Sequence, residues 1–311
     1  MPGTPRIAVI GSANADLITY SDSMPRAGET LFGRDFSLSF GGKGANQAIA
    51  ARLCGAEVLM VAKVGDDLFG EATLKNFAAF GVDTPHVQVA SGVSTGVAAI
   101  FVEPSGQNRI VVVKGANDKL TPADINAAAE RLRQVDIIIL QFEIPLETIY
   151  YTVHFARTHG IRCIVNPAPA VPAQLQELIG ADYFIPNETE TEIITGRPVQ
   201  TLDDARACAE MLLQKGFPRV LITLGARGVW AAGGGSSQHL APFPVTAVDT
   251  TGAGDAFIGS LAVFLAEGQG EQAAVARASL YAALSTTRPS AQKSFVSRAA
   301  FETEWACRAG Q

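Results

Sequence analysis

The chain has 311 residues, of which 48% are hydrophobic and 17% are charged, and its formal net charge is −6. This length suits one large α/β domain or two smaller ones, and the composition excludes a disordered chain. The acidic balance provides no basic surface for a nucleic-acid partner. Since no uninterrupted apolar run reaches the length of a bilayer, we expect no membrane partner either.

The cysteines and the N-terminus predict a cytoplasmic protein. The four cysteines are scattered along the chain, at Cys54, Cys163, Cys208 and Cys307. They lack the paired spacing of a zinc site, and a chain of this size needs no disulfides, so we expect reduced thiols. Residues 1–6 run directly into a strand-like segment at 7–10, which leaves no room for a secretory signal.

The first predicted strand, Ile7–Ile10, continues as an extended run that carries Asn14 and Asp16. Side chains two residues apart on a strand point to the same face. A carboxylate and an amide on one face suit a ligand with several hydroxyl groups. Two polar residues on a solvated strand face are the structural alternative.

A glycine-rich turn, Gly41–Gly44, leads into an apolar-periodic run that reaches Leu53 and predicts a helix. Glycine lets a ligand approach the backbone closely, and Lys43 and Asn46 lie near the helix start, where they can reach it. The spacing and the ending differ from those of a Walker A loop. We interpret this turn as a binding site rather than as a purely structural feature.

Strands and helices alternate through the middle of the chain. Strands are predicted over 58–64, 137–140, 163–165, 183–185 and 220–224, and helices over 69–80, 146–158, 172–179 and 202–215. This alternation is typical of a parallel sheet with helices on both faces. Two β-rich runs, 95–102 and 109–113, flank a hairpin loop at 103–108, and with residues 15–40 they form a separate small sheet in this prediction.

Polar residues and glycines follow the predicted strands of the large sheet. They are Glu143, Asn166, Asn187, Glu188, Glu190, Thr223, Gly225, Gly228, Asp249 and Asp255. Ligands of parallel sheets bind beyond the carboxyl ends of the strands. We therefore expect these residues to line one shared cleft.

The segment Val248–Phe257 connects a predicted strand, Pro244–Val248, to a predicted helix, Ala256–Leu265. Its glycines allow several backbone N–H groups to converge, and the helix dipole adds positive potential, so the turn predicts an anion hole. Asp255 lies beside that hole, where a carboxylate can act as a general base. Aspartate also favours helix caps, so this segment alone leaves cap and base equally open.

Three motifs in this order resemble the signatures of the ribokinase-like (PfkB-type) sugar kinases: Phe40–Ala48, Asn187–Glu190 and Asp249–Phe257. The resemblance covers nearly the whole chain. It implies one domain, 1–311, built as a three-layer α/β/α sandwich with a mainly parallel central sheet. It also implies a small β-sheet lid, formed by segments 15–40 and 95–113, through which two copies pair as a homodimer.

The resemblance also assigns roles to individual residues. Asp255 becomes the base, and the N–H groups of Gly252, Ala253 and Gly254 stabilise the transferring phosphoryl group. The residues implied to hold the sugar are Asn14, Asp16, Gly42, Lys43, Asn46, Glu143 and Asp255. Those implied to bind ATP are Asn187, Glu190, Thr223, Gly225, Gly228, Gly254 and Ser279, with Mg²⁺ reached from Glu190.

A monovalent-cation site for K⁺ is implied near Asp249, Thr251, Ser285, Arg288, Ser290 and Ser294. The chain departs from the family pattern here, because Pro289 and Ser290 stand where the loop commonly has Lys-Gly. Serine cannot adopt every conformation open to glycine. Ser279 departs as well, since an asparagine often contacts the adenine at that position.

The implied reaction is phosphorylation of D-ribose at O5 by ATP. One alternative is 2-deoxy-D-ribose, or another pentose or nucleoside, on the same machinery. The branch that acts on 2-deoxyribose tends to carry an apolar residue in place of Asn14. A buried amide left unpaired costs about 1–3 kcal/mol, so Asn14 favours ribose. A binding protein without catalysis is the other alternative, and the intact Gly252–Asp255 turn argues against it.

Overall fold

The structure, a computed structural model, describes residues 3–105 and 107–309. The strands are β1 Arg6–Ile10, β2 Asn14–Tyr20, β3 Asp35–Gly41, β4 Glu57–Gly65, β5 Asp83–Ala90, β6 Gly96–Val102, β7 Asn108–Val113, β8 Ile137–Gln141, β9 Arg162–Asn166, β10 Tyr183–Phe184, β11 Arg219–Thr223, β12 Val229–Gly233 and β13 Ser236–Leu240. The α-helices are α1 Lys43–Leu53, α2 Leu68–Phe80, α3 Pro122–Ala127, α4 Ala129–Leu132, α5 Leu146–Thr158, α6 Glu188–Thr195, α7 Leu202–Gln214, α8 Ala253–Ala266, α9 Glu271–Ser285 and α10 Arg298–Ala309.

The large sheet has nine strands in the order β13-β12-β11-β10-β9-β8-β1-β4-β5. The strands from β11 to β5 pair in parallel, whereas β12 and β13 add an antiparallel edge. Side chains alternate between its faces: Ile7 and Val9 belong to one buried cluster, and Ala8 and Ile10 to the other. Helices α1, α2, α8, α9 and α10 cover the first face, and α3, α4, α5 and α7 cover the second. The predicted three-layer sandwich is confirmed.

A second sheet has four strands in the order β3-β2-β6-β7. Strand β2 pairs antiparallel with β3 and parallel with β6, so that Asn14 lies opposite Gly41 on one side and Gly96 on the other. This sheet uses the two segments predicted for the lid, 15–40 and 95–113. Gly106, in the predicted hairpin loop, lies outside the described residues, as do residues 1, 2, 310 and 311 of the predicted domain.

Two predicted elements are wrong. The run Pro244–Val248 is not a strand, because the N–H groups of Val248 and Asp249 donate to Thr286 O (2.7 and 3.1 Å) instead of joining the sheet. The predicted helix at 172–179 is a 3₁₀ turn over Leu175–Leu178. Strand β5 and helices α3, α4, α9 and α10 were not predicted; β5 contains Pro85, which an edge strand tolerates.

The strand order places a crevice between β1 and β8. These neighbours are far apart in the chain, and the crossover from β1 goes toward β4 while β8 continues the sheet on the other side. In open α/β sheets ligands bind at such a point, outside the carboxyl ends of the strands. The residues that follow β1 and β8 are therefore the first candidates for a ligand site.

A loop after α9 contains the one non-glycine residue of the described chain with a positive φ, Ser290 at 77°. Its N–H donates to Oδ2 of Asp249 (2.9 Å), while Oδ1 of Asp249 accepts from the N–H of Thr251 (2.9 Å). The Asp249 carboxylate thus joins this loop to the segment before α8. The bonds hold Ser290 in a backbone region that favours glycine.

We predict that Ser290→Gly stabilises the protein. Glycine relieves the left-handed strain at this position but also adds conformational entropy to the unfolded chain. We expect the free energy of unfolding to rise by about 0.5–1 kcal/mol in total. In a chain of this size the melting temperature should rise by about 1–2 °C in thermal unfolding.

Ser294→Gly is the matched control for this prediction. Ser294 is fully buried and its Oγ donates to Ala291 O (2.8 Å), so its replacement should lower the melting temperature. A lower melting temperature for Ser290→Gly would contradict the strain argument.

Candidate active site

The N-terminus of α8 forms the centre of the site. Gly252 precedes the helix at φ 78°, and a Cβ there would lie 2.8 Å from the Cβ of Ala291. The N–H of Ala253 donates to Thr250 O (3.2 Å), whereas those of Gly252 and Gly254 have no acceptor among the described residues. Two of the three predicted anion-binding N–H groups, those of Gly252 and Gly254, are therefore free to bind an anion. The third, that of Ala253, already donates to Thr250 O.

Asp255 lies in the first turn of α8 and is 7% exposed. Its Oδ2 accepts from Nδ2 of Asn46 (2.9 Å), and its Oδ1 accepts from Nε2 of Gln47 (2.9 Å). These partners belong to α1, so Asp255 does not cap its own helix. Burial raises the pKa of Asp255, and the Lys43 ammonium and the two amides oppose that rise. The carboxylate is a proton acceptor held in a fixed orientation.

The N-terminus of α1 lies against the end of β1. Gly42 has φ 87°, and a Cβ at Gly44 would lie 2.6 Å from Ser12 N. Oε2 of Glu143, just after β8, accepts from the N–H of Lys43 (2.9 Å) and from Oγ of Ser12 (2.5 Å). Glu143 therefore connects both strands of the crevice to the start of α1, as close backbone approach at the glycines allows.

Lys43 supplies positive charge inside an acidic cleft. Burial alone would lower the pKa of its ammonium, but Asp255, Glu143 and Glu190 together raise it. Lys43 therefore remains protonated. Three elements contribute these carboxylates, namely α8, the segment after β8, and α6.

Asn14 and Asp16 lie on β2, in the small sheet. Oδ1 of Asn14 accepts from Nδ2 of Asn117 (2.7 Å), while Nδ2 of Asn14 has no partner in the described part of the chain. Burial and the nearby Glu143 raise the pKa of Asp16 to about 6. A Cβ at Gly41 would lie 2.3 Å from Oδ2 of Asp16, so only glycine fits beside this carboxylate.

Two cavities meet beside Asp255. The smaller, of about 170 Å³, includes Lys43, Asn187, Glu190, Thr223, Gly252, Gly254 and Asp255 in its lining. The larger, of about 590 Å³, includes Asn187, Thr223, Gly225, Gly228, Gly254 and Ser279. Because Asn187, Thr223 and Gly254 line both, the two cavities are direct neighbours, and Asp255 lines the smaller one.

Asn187 and Glu190 form a capping box at the start of α6. Oδ1 of Asn187 accepts from the N–H of Glu190 (2.8 Å), and Oε2 of Glu190 accepts from the N–H of Asn187 (2.9 Å). Burial raises the pKa of Glu190, against the influence of the Asn187 bond and of Lys43. The motif thus has a structural role that also directs a carboxylate into the smaller cavity.

The larger cavity is mostly apolar at its outer end, where Ser279 of α9 contributes a buried Oγ without a hydrogen-bond partner in the described chain. Gly228 has φ 90°, and a Cβ there would lie 2.2 Å from Leu240 O. Gly225 also has a positive φ, 52°. The turn after β11 therefore depends on glycine to shape this wall.

The residues predicted for a monovalent cation are only partly brought together. Asp249, Thr251 and Ser290 are directly bonded, and although partial burial would raise the pKa of Asp249, the bonds from Thr251 and Ser290 lower it. Ser285 and Ser294 are buried, and their Oγ atoms donate to Ala282 O and Ala291 O (2.8 Å each). Arg288 is exposed. The Asp249 carboxylate and backbone carbonyls of this loop remain as candidate ligands.

Sequence reasoning missed several residues around the site: Ser12, Gln47, Asn76, Asn117, Gln141 and Gln292. Gln47 stands inside the Phe40–Ala48 motif, directly after Asn46, and could have been found there. Ser12 and Gln141 follow predicted strands, the placement that marked Glu143 and Asn166, and could have been found in the same way. Asn76, Asn117 and Gln292 carry no such local signal, because each is recognisable only by a partner elsewhere in the chain.

Within residues 3–105 and 107–309, no group of three or more His, Cys, Asp or Glu side chains is arranged to hold a metal ion. None of the helices in this part of the chain has the length and apolar character needed to cross a membrane.

Comparison with known proteins agrees with the motifs. The chain is 45% identical over 292 residues to the deoxyribokinase of Salmonella typhi, a match that covers 94% of this chain and 95% of that protein. It is 43% identical over 287 residues to the ribokinase of Bacillus subtilis, covering 92% and 94%. The structure of Arabidopsis thaliana ribokinase complexed with ribose and ATP superposes with a TM-score of 0.91 at 29% identity, covering 97% and 98%.

Residues 4–298 match the pfkB family carbohydrate kinase. This span contains both cavities, the two glycine-preceded helices α1 and α8, and the whole small sheet. The chain belongs to the pfkB family of carbohydrate kinases.

Proposed function

We propose that this protein is an ATP-dependent kinase that phosphorylates D-ribose at O5, giving D-ribose 5-phosphate and ADP. The observation that carries this proposal is the buried Asp255 carboxylate, oriented by Asn46 and Gln47 in the smaller of two neighbouring cavities. The relatives named ribokinase, and the related structure complexed with ribose and ATP, supply the substrate class.

Asp255 accepts the proton of the sugar 5-hydroxyl as that oxygen attacks the γ-phosphorus of ATP, and ADP leaves. A carboxylate whose pKa is raised by burial is a better base than an exposed one. The free N–H groups of Gly252 and Gly254, at the positive end of α8, stabilise charge on the transferring group, and Ala253 contributes where its N–H is shared. The Lys43 ammonium lies on the same cavity.

The sugar is held between α1 and the small sheet. Asp16 accepts hydrogen bonds from sugar hydroxyls, and Asn14 donates from Nδ2, because its Oδ1 is committed to Asn117. The backbone of Gly42, the side chains of Lys43 and Asn46, and the remaining oxygen of Glu143 complete this set. ATP occupies the larger cavity, lined by Asn187, Thr223, Gly225, Gly228, Gly254 and Ser279.

The residues present fit Mg²⁺ bound mainly through the nucleotide. Mg²⁺ prefers oxygen ligands and keeps several waters, so one carboxylate beside the phosphates suffices, and Glu190 lines the smaller cavity. When bound, the ion neutralises charge on the phosphate oxygens. A K⁺ site by the Asp249 loop is supported by the Asp249–Ser290 and Asp249–Thr251 bonds, which bring the two candidate segments together.

We predict that Asp255→Asn loses nearly all turnover while ribose still binds. Removal of a general base typically lowers the rate by about 10²–10⁴-fold, whereas the amide keeps the size and part of the hydrogen bonding of the carboxylate. A coupled ADP-release assay measures turnover, and calorimetric titration with ribose measures binding.

Asp204→Asn is the matched control, since Asp204 occupies the same third position of its helix, α7, on the protein surface. It should lose only capping stability, with turnover unchanged. Turnover of Asp255→Asn close to that of the parent protein would refute the assignment of the base.

The second candidate substrate is 2-deoxy-D-ribose, which the deoxyribokinase relative at 45% identity favours. Asn14 argues for ribose. It is 4% exposed, and its free Nδ2 would lack a partner beside a sugar without the 2-hydroxyl. An unpaired buried amide disfavours the deoxy sugar by about 1–3 kcal/mol.

Asn14→Met should therefore shift the preference toward 2-deoxyribose. We expect the ratio of kcat/KM on ribose to kcat/KM on 2-deoxyribose to fall by about 5- to 150-fold, since a lost hydrogen bond of this kind is worth about 1–3 kcal/mol. Steady-state kinetics on both sugars gives the ratio. An unchanged ratio would remove Asn14 from the specificity argument.

We further propose that two copies pair through the small sheet. Its strands expose apolar side chains to an unusual extent: Phe36, Ile110, Val111, Val112 and Val113 are each 50–63% exposed. Exposed apolar side chains in this number mark an interaction surface, and here they lie on the two edge strands of the sheet, β3 and β7. The edge strand β7 contributes four of the five residues.

Val111→Lys should convert the dimer to a monomer in sedimentation velocity, because it would bury an unpaired charge among the apolar side chains of β7. Ile193→Lys is the control, since Ile193 has comparable exposure (55%) on α6. A wild-type protein that sediments as a monomer at micromolar concentration would exclude this interface.

We place this activity in the cytoplasm. ATP is available there, and all four cysteines are free thiols, three of them buried. Reduced thiols suit that compartment.

A further inference from the structure

Two rows of hydrogen-bonded amide side chains end on the two oxygens of Asp255. In the first relay, Nδ2 of Asn76 donates to Oε1 of Gln292 (2.9 Å), Nε2 of Gln292 donates to Oδ1 of Asn46 (2.9 Å), and Asn46 donates to Oδ2 of Asp255 (2.9 Å). Each row uses elements that lie far apart in the chain.

In the second relay, Nε2 of Gln141 donates to Oε1 of Gln47 (2.7 Å), and Nε2 of Gln47 donates to Oδ1 of Asp255 (2.9 Å). Gln47 also donates to Oδ1 of Asn166 (3.2 Å). Gln141 ends the row, with its own Oε1 buried and unpartnered in the described chain.

The carboxylate sets the direction of every bond in both relays. An ionised Asp255 can only accept, so Asn46 and Gln47 must turn their NH₂ groups toward it. Their oxygens then face Gln292 and Gln141, which must in turn present NH₂ groups. Conversely, the rows offer Asp255 donors only, which favours its charged form over the protonated form.

Three members of the relays are not placed to bind a ligand themselves. Gln47 and Gln141 are 0% exposed, and Gln292, which is 4% exposed, uses both ends of its amide within the first relay. Buried amides are costly unless they are hydrogen-bonded, and apolar side chains of similar volume could fill the same space. Since both relays end on the Asp255 carboxylate, these amides are best explained by an effect on that carboxylate.

We propose that Gln47 and Gln292 are positioning residues that fix the orientation and the ionised form of the Asp255 carboxylate before substrates bind. Gln47 acts directly and Gln292 acts through Asn46, while Gln141 and Asn76 support them. This inference rests on the proposed role of Asp255 as the base.

Other charged groups surround Asp255 and contribute to any pH dependence: Lys43 from α1, Glu143 from the segment after β8, and Glu190 from α6. Asp16 of β2 lies in the same cleft, with a pKa raised to about 6 by burial and Glu143. The relay side chains form no hydrogen bond with any of these groups. A difference between the pH profile of a relay variant and that of the wild type therefore reports the contribution of the relay.

The test compares Gln47→Leu, Gln292→Leu and Gln292→Glu with the wild type, by recording kcat and kcat/KM for ribose against pH. Loss of a donor to the charged form raises the pKa of Asp255. Activity that needs the ionised base is present above that pKa and is lost as the pH falls through it. The acid limb of kcat/KM should therefore move up by about one pH unit in Gln47→Leu and by less in Gln292→Leu.

Gln292→Glu keeps the packing at this position but removes the donor. An ionised carboxylate at 292 cannot donate to Asn46 and adds a negative charge, so its acid limb should move up further than that of Gln292→Leu. KM for ATP should stay within about twofold. Thr148→Val is the control for stability, since it removes a buried hydroxyl (1% exposed) that bonds to Leu120 O, on the far side of the sheet.

Acid limbs that stay at the wild-type pH in all three relay variants, with melting temperatures lowered as in Thr148→Val, would show that the amides only support the fold and would overturn the inference. If Asp255→Asn is inactive in that case, the proposed function survives and only the relay role fails. If Asp255→Asn turns over normally, the proposed function fails first, and the relay role fails with it.

Discussion

The burial of one carboxylate constrains the rest of this structure. Asp255 is almost completely removed from solvent, and a buried charge is tolerated only where donors and an opposite charge surround it. Asn46, Gln47 and Lys43 all come from α1, so α1 and α8 must lie in close contact. Gly259 permits this contact, because a Cβ there would lie 2.5 Å from Gln47 O. A buried carboxylate at position 255 therefore requires close packing of α1 against α8.

The strand order supplies the place where this requirement can be met. At the carboxyl ends of β1 and β8, Ser12 and Glu143 meet and together anchor the N-terminus of α1. Glu143 therefore has a structural role besides its proposed role in sugar binding. It anchors α1, and side chains of α1 orient Asp255. The same edge brings Asn187 and Thr223 beside Gly254, so the cavity proposed for the nucleotide lies next to the cavity that Asp255 lines.

Local sequence patterns predicted the sandwich and most of its strands, because periodicity and glycine placement are local properties. They also marked Asp255 and the turn before it, though not whether it caps α8. Gln292 could not be found in this way, since its partner Asn46 is 246 residues away. The run Pro244–Val248 was misassigned because alternation predicts an extended chain but not a neighbouring strand to pair with. Strand β5 was missed for the opposite reason: pairing with β4 makes it a strand despite Pro85.

The residue proposed as the base and the residue proposed to choose the sugar lie in different parts of the fold. Asp255 and its amide partners belong to α1, α8 and the central sheet, whereas Asn14 lies on the small sheet and is oriented by Asn117. No hydrogen bond of the described residues joins Asn14 to Asp255 or to its amide partners. A change at Asn14 therefore leaves the base and its surroundings intact. Relatives named deoxyribokinase and ribokinase are nearly equally similar to this chain, at 45% and 43% identity, as expected if one machinery serves both sugars and a few lid contacts decide between them.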